Sequence, residues 1–308
     1  MIKYLKQEEI DYNKWDACID KSINSYVYAY SWYLDIVAGD WDALVEDDYK
    51  SVFPLPFRKK FGIKYIYQPA FSQQLGLFTT TLLGNDKLQK FLDAIPKEFK
   101  LIEVNLNKSN IPTQKANIKL KKNRNIELDL IPNYEILYSK YATNLKRNIK
   151  KAHKNHLSII QNTKPEQLID LFRENRGKDI SAYSDLDYTH LGRLAYLLIH
   201  KGLGQIWGVI SEENNLLAAA LFVQSKDRYI FLFSGLSEEG KQKAAMPFLM
   251  DSFIKKHSET KSILDFEGSN DHNLARFYKS FGSLELYYYG IQIIQGGILF
   301  KSLLKIKG

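Results

Sequence analysis

The sequence predicts an α/β chain with mixed (α+β) sheets, arranged in two halves. Two patterns and the length carry this. Short apolar runs bounded by turn residues, as strands are, interleave with segments of helical apolar spacing. The same kinds of element recur on both sides of Tyr134. At about 100–200 residues per domain, 308 residues suggest two domains. The boundary is placed at 133/134, giving domains 1–133 and 134–308, the second opening on a basic helix. Each half is expected to hold its own mixed sheet flanked by helices.

In the first half, Tyr12 to Lys21 and Ser31 to Ala38 have helical spacing behind plausible caps. Ala43–Val45, Ser51–Phe57 and Lys64–Tyr67 read as strands, broken at Asp47-Asp48 and Phe61-Gly62. Leu88 to Ile95 is helical. Leu101–Leu106 alternates as a strand, and Asn125–Leu130 is another, ended by Pro132.

Tyr134 to His156 reads as one helix. Tyr138, Tyr141, Leu145, Ile149 and Ala152 share one arc, and Lys146, Arg147, Lys150, Lys151 and Lys154 the opposite one. Such a face commonly meets only solvent; its functional reading is a clamp for phosphate groups. Beyond it, Leu157–Gln161 is a strand, and Pro165–Arg176 and Leu186–Lys201 are helices. Gln205–Ile210, Leu216–Gln224 and Tyr229–Phe233 are strands joined by turns at Glu212–Asn215 and Ser225–Arg228. Ala244–His257 is a helix, Ser262–Phe266 a strand and Asn273–Ser280 a helix, before strands Leu284–Tyr289 and Ile291–Ile294 around Gly290.

Composition narrows the function classes. The longest clearly apolar run, Leu216 to Val223, is far short of the roughly 20 residues of a membrane span, so no transmembrane segment is expected. The first residues lack an apolar signal core, so a cytoplasmic protein is expected. Cys18 is the single cysteine and cannot form an internal disulfide. A net charge of +8 favours anionic partners. His153, His156, His190, His200, His257 and His272 lack metal-ligand spacing, so no metal site is expected. Ser234-Gly235 is no nucleophile elbow, there is no Walker sequence, and no RNA- or DNA-reading motif implies sequence-specific recognition.

From Leu157 onward the element order resembles the acyltransferase fold of the GNAT superfamily. The strand-to-helix junction is Phe233-Ser234-Gly235-Leu236-Ser237-Glu238-Glu239-Gly240-Lys241-Gln242-Lys243-Ala244. Leu264-Asp265-Phe266-Glu267-Gly268-Ser269, and the segment Asn273 to Gly282 with its final Phe281-Gly282, resemble the FemABX-like branch more closely. So does Asn144-Leu145-Lys146-Arg147-Asn148-Ile149-Lys150-Lys151-Ala152. The resemblance covers Tyr141 to Gly282 and implies tandem GNAT-like domains, extended to the first half by size and element order.

Two departures qualify it. The coenzyme A pattern wants Arg or Gln, two residues, Gly, one residue, then Gly or Ala; anchored on Ala244, the first two places hold Glu239 and Gln242. Lys241 and Lys243 could partly compensate or simply be solvated. Members of the branch often draw acyl groups from aminoacyl-tRNA instead. Counting back from Gly282, the branch's lysine position holds Tyr278, with Lys279 one place on and about 100° around the helix. Tyr278 matches the GNAT tyrosine that protonates the leaving thiolate, and packed aromatic is its plainer reading.

The resemblance implies transfer of an acyl or aminoacyl group onto an amine. Backbone N–H groups near Ser234, Gly235 and Leu236 would hold the carbonyl. Asp265 or Glu267 would take the amine proton, both facing one cleft by strand alternation. Leu274, Phe277, Tyr278 and Phe281 are expected on the buried face of their helix, with Lys279 outside it. Expected ligands are an anionic donor or acceptor: aminoacyl-tRNA, a nucleotide-linked precursor, or acyl-coenzyme A, with no further cofactor required. The alternatives are an acetyltransferase using coenzyme A on a small molecule or peptide, and a catalytically silent protein that binds an anionic ligand.

Overall fold

A computed structural model describes residues 1–179, 183–268 and 270–296. Its elements begin β1 (Ile2–Leu5), α1 (Tyr12–Lys21), α2 (Ser31–Val37), β2 (Trp41–Glu46), β3 (Ser51–Lys60), β4 (Ile63–Ile66), β5 (Phe78–Thr79), α3 (Asn85–Asp93), β6 (Phe99–Asn105) and β7 (Ile118–Asp129). There follow α4 (Tyr134–Ser139), α5 (Thr143–Lys154), β8 (Ser158–Ile160), α6 (Pro165–Glu174), α7 (Asp185–His200), β9 (Gly204–Ile210), β10 (Leu216–Ser225) and β11 (Arg228–Leu236). The last are α8 (Glu238–Gln242), α9 (Ala245–His257), β12 (Ile263–Asp265), α10 (His272–Lys279) and β13 (Leu284–Ile294).

The chain forms two compact units, residues 1–123 with the stretch from 287, and residues 124–286. The sequence boundary at 133/134 differs from these limits. β7 and β13, 12 and 11 residues long, each supply one end to either unit. Each unit holds a mixed sheet, with β7 and β13 represented in both.

In unit 1 the strand order is β1-β2-β3-β4-β6-β13-β7, with β5 on β3 and with β4 parallel to β6. Ile291 and Ile293 of β13 enter its core beside Phe53, Phe91, Phe99 and Ile102. Beyond β4, the loop residue Leu75 bridges Leu106 in parallel, donating its N–H to the Asn105 carbonyl at 2.7 Å. Buried Asn107 and Asn110 hold the next turn of this loop through the Leu77 carbonyl, at 3.1 and 3.0 Å.

In unit 2 the order is β13-β7-β12-β11-β10-β9-β8. β11 and β12 run parallel, while β10 pairs antiparallel with both neighbours. One face carries the core built by α5, α9 and α10, with Leu145, Ile149, Leu249, Phe253, Ala275 and Phe281. α6 and α7 pack on the other face. Covered on both faces, β10 reads as an apolar run rather than an alternation, and Leu217 to Val223 are all buried.

Several elements differ from expectation. β1, β5 and α8 were not anticipated, β7 begins well before Asn125, and β13 passes through Gly290 unbroken. The basic helix is two helices, α4 and α5. Ala142 between them is extended (φ −60°, ψ 145°), and its N–H donates to the Ser280 carbonyl at 2.8 Å. Gly282 sits so tightly on Lys140 that a Cβ there would lie 2.8 Å from that residue's Cβ. The break is thus imposed by packing against the end of α10, where the local sequence has neither Gly nor Pro.

Candidate active site

The site begins with an irregularity in β11. Phe231 pairs with Phe222 and Phe233 with Leu221, so Leu232 is one residue too many on its strand. A bulge of this kind re-aims the side chains beyond it. Residues two apart normally share a face. Here Phe231 meets Tyr278 edge-on at 6.0 Å, whereas Phe233 is turned onto Phe172 of α6 at 4.7 Å.

The same stretch leaves its parallel neighbour. β11 and β12 pair only from Arg228 to Ile230, opposite Ile263 to Asp265. Among the described residues, Phe231 to Leu236 have a strand partner in β10 alone. A fork therefore opens at Phe231, earlier than the expected Ser234–Leu236. Ser234 and Leu236 are half-buried along it. Gly235 lies under α6, where a Cβ would come within 2.9 Å of the Phe172 nitrogen. Its small size lets the helix pack against the strand there.

Tyr278 stands at the fork. Its ring stacks on Phe266, the first residue past β12, at 4.9 Å and also touches Phe231, the first residue past the paired part of β11. It is 6% exposed, and among the described residues its hydroxyl has no hydrogen-bond partner. Burial, and secondarily the charge of Glu267, push its pKa well above the ordinary phenol value. Tyr183 is raised by the same two causes in the same order. The buried face of α10 is Ala275 and Tyr278, continued by Phe281; Leu274, expected there, is exposed. Lys279 points outward, its ammonium on Glu285 Oε2 at 2.8 Å.

The two candidate carboxylates are separated. Asp265 is fully buried: Oδ2 accepts from Arg228 at 2.8 Å and Oδ1 from the Glu267 N–H at 2.9 Å. Arg228 also pairs with Glu127 at 2.8 Å. Burial raises the Asp265 pKa, Arg228 opposes that, and Glu127 adds to it. So enclosed, Asp265 is not placed to take a proton from an incoming amine, which corrects that expectation. Strand alternation fails here because β12 ends at Asp265. Glu267 and Gly268 both have positive φ, +59° and +76°, and turn the chain away. Glu267 is half-buried in this turn.

The expected phosphate loop is occupied by the chain itself. α8 runs through it, and a Cβ on Gly240 would lie 2.2 Å from the Leu217 carbonyl oxygen. Lys241 and Lys243 pair with Glu238 and Glu239 of the same short helix, at 3.5 and 2.8 Å. Ala244 is left-handed (φ +63°) before α9, and Pro247 removes one of the N–H donors of that helix's first turn. On α5, Lys146 caps α4 through the Ser139 carbonyl at 2.9 Å, while Arg147 and Lys150 are exposed. Among the described residues, no group of three His, Cys, Asp or Glu side chains could hold a metal, and no helix is long and apolar enough to cross a membrane.

Sequence reasoning missed Arg228, read as a turn residue, and Glu127, Phe172 and Tyr183. Only the pairing of β7, β12 and β11 brings the first two together. Phe172, Tyr183, Tyr188 and Phe233 form one ring cluster on the α6 side, with centroids 4.7 to 6.3 Å apart. An aromatic-rich composition alone does not single it out.

No family model and no curated protein sequence matches the chain. Solved structures do. FemX is similar at 13% identity and a TM-score of 0.67, over 95% of this chain and 98% of that one. A tandem GNAT protein from the clavulanic acid biosynthesis pathway is similar at 8% identity and 0.54, over 96% and 99%. The C-terminal domain of a putative lysylphosphatidylglycerol synthetase from Agrobacterium fabrum is similar at 12% and 0.54, over 84% and 85%. The chain has the tandem GNAT-like fold that FemX and the clavulanic acid pathway protein share.

Proposed function

We propose that the chain is a transferase that moves an acyl or aminoacyl group from an anionic donor onto an amine, at the fork of β11 and β12. The observation that carries this reading is Tyr278, a buried phenol kept protonated at the point where the strands part. Glu267, on the positive-φ turn past β12, is the proposed base. The neutral amine attacks the carbonyl carbon: a C–N bond forms, and the C–O bond to a tRNA ribose, or the C–S bond of a thioester, breaks. Backbone N–H groups of β11 beyond Ile230, where β12 no longer pairs with it, would steady the oxyanion. The nitrogen's proton passes to Glu267, directly or through water, and Tyr278 protonates the departing oxygen or sulfur. A proton returning from Glu267 to Tyr278 closes the cycle.

Aminoacyl-tRNA suits the donor side better than coenzyme A. The self-paired α8 and Pro247 leave little for a pyrophosphate, while Arg147 and Lys150 are open to backbone phosphates. The fold shared with FemX supports the same class. Transfer assays with alanyl-tRNA and with acetyl-coenzyme A, each with a lysine-bearing peptide as amine, test the reading. A thermal-shift series adds a nucleotide-linked peptide precursor. A true ligand at 100 times its Kd should add about 2.7 kcal/mol of stability. Transfer from alanyl-tRNA supports the proposal, transfer from acetyl-coenzyme A alone changes the donor, and binding without transfer leaves a ligand-binding protein.

A further inference from the structure

We infer that Asp265 is a positioning residue: clamped between Arg228 and the Glu267 N–H, it fixes the turn that presents the Glu267 carboxylate to the fork. Asp265, Glu127 and Arg228 are 0, 6 and 7% exposed. Asp265 and Glu127 lie opposite each other on β12 and β7, and Arg228 opens β11. The guanidinium thus ties three strands at the base of the fork. Asn125 adds a 3.0 Å hydrogen bond to Glu127. Such an enclosed ionic cluster is a weak source of net stability, because desolvation offsets the attraction. What it supplies here is geometry. The two Asp265 oxygens hold different partners, Oδ2 the Arg228 guanidinium and Oδ1 the N–H of Glu267.

The turn it fixes is a constrained one. A glutamate at φ +59° sits in a region that side chains with a Cβ rarely adopt. Gly268 follows at φ +76°, where a Cβ would lie 2.5 Å from the Arg124 carbonyl oxygen and 2.6 Å from Asn125 Cα. The turn is therefore pressed against β7 from one side and anchored by Asp265 from the other. Phe266, between the two carboxylates in sequence, is stacked on Tyr278. One short segment thus sets the relation of the proposed base to the proposed acid.

Asp265→Asn is the test. An amide keeps one acceptor oxygen, so it can satisfy Arg228 or the Glu267 N–H, but not both. Turnover is compared in wild type, Asp265→Asn, Glu267→Gln and the double variant, with the alanyl-tRNA and acetyl-coenzyme A assays above. If Asp265 acts through Glu267, Asp265→Asn lowers kcat about tenfold or more with KM nearly unchanged, and in the Glu267→Gln background it changes kcat by less than about twofold. Equal losses in both backgrounds, or none in wild type, overturn the inference. Gly268→Ala disturbs the same turn without touching a charge; it carries the same expectation should Asp265→Asn fail to fold. The inference rests on the reaction proposed above. If wild type transfers nothing, that reading fails by itself, and amide hydrogen exchange at Glu267 decides this one. Exchange at least about tenfold faster in Asp265→Asn or Gly268→Ala supports the clamp, and an unchanged rate overturns it.

Discussion

The Tyr278 ring is packed on Phe266 and Phe231, and its hydroxyl makes no hydrogen bond among the described residues. A buried phenol ordinarily has a partner, and a departing donor atom would provide one. Tyr278→Phe should therefore slow turnover by about 10²- to 10⁴-fold, with the melting temperature little changed. Lys279→Ala removes only a half-exposed ion pair with Glu285 and should leave turnover within about twofold. A steady-state comparison of the two variants checks the assignment. His257 gives a separate residue-scale prediction. Burial among Trp207, Tyr229 and Phe253, and then Lys256, lowers its pKa to about 4. From about pH 6.5 down to 4 the unfolded chain takes up a proton that the folded one refuses, so stability falls as pH falls through that window. His257→Phe should flatten this slope, read as the difference in melting temperature from wild type across pH 4–7.

At the scale of elements, α8 and α9 decide the donor. Calorimetry with coenzyme A should give a Kd weaker than about 1 μM, that is, binding less favourable than about −8.2 kcal/mol. A tighter complex would mean that the self-paired lysines open for the pyrophosphate. On α5, Arg147→Glu with Lys150→Glu should weaken tRNA binding, and the loss should shrink as salt rises; filter binding at two salt concentrations measures it. Most of these elements were legible in the sequence. The meander β9-β10-β11 is marked by apolar runs between turn residues, and α9 and α10 by their spacing. What was illegible is set by tertiary contacts. The α4–α5 break comes from Ala142 donating to Ser280, and the β11 bulge from its register against β10. The spacing to Gly282 pointed to Tyr278. Nothing local distinguished Asp265 from Glu267, because their difference lies in Arg228, which reaches Asp265 only once β11 and β12 pair.

Across the whole chain, the strands assigned to each unit make a further claim about what folds alone. Length and element order suggested a cut at 133/134, but the order of unit 1 places β13 between β6 and β7. Residues 290–294 pair with 101–105, and Ile291 and Ile293 are buried in its core. A fragment ending at 133 would lack this interior strand, leaving an edge of β6 unpaired and core positions beside Ile102 and Val104 open. Losing two buried isoleucines alone removes about 3–6 kcal/mol of burial at about 1.5–3 kcal/mol each, comparable to the roughly 5–15 kcal/mol stability of a typical domain. Fragment 1–133 should therefore lack a cooperative thermal transition. Joining residues 287–308 to residues 1–123 through a flexible linker should restore one, because it returns the strand where the unit holds it. Circular dichroism melts of the two fragments decide between the cuts. A sharp transition for 1–133 would show that the first half folds without the returning strand.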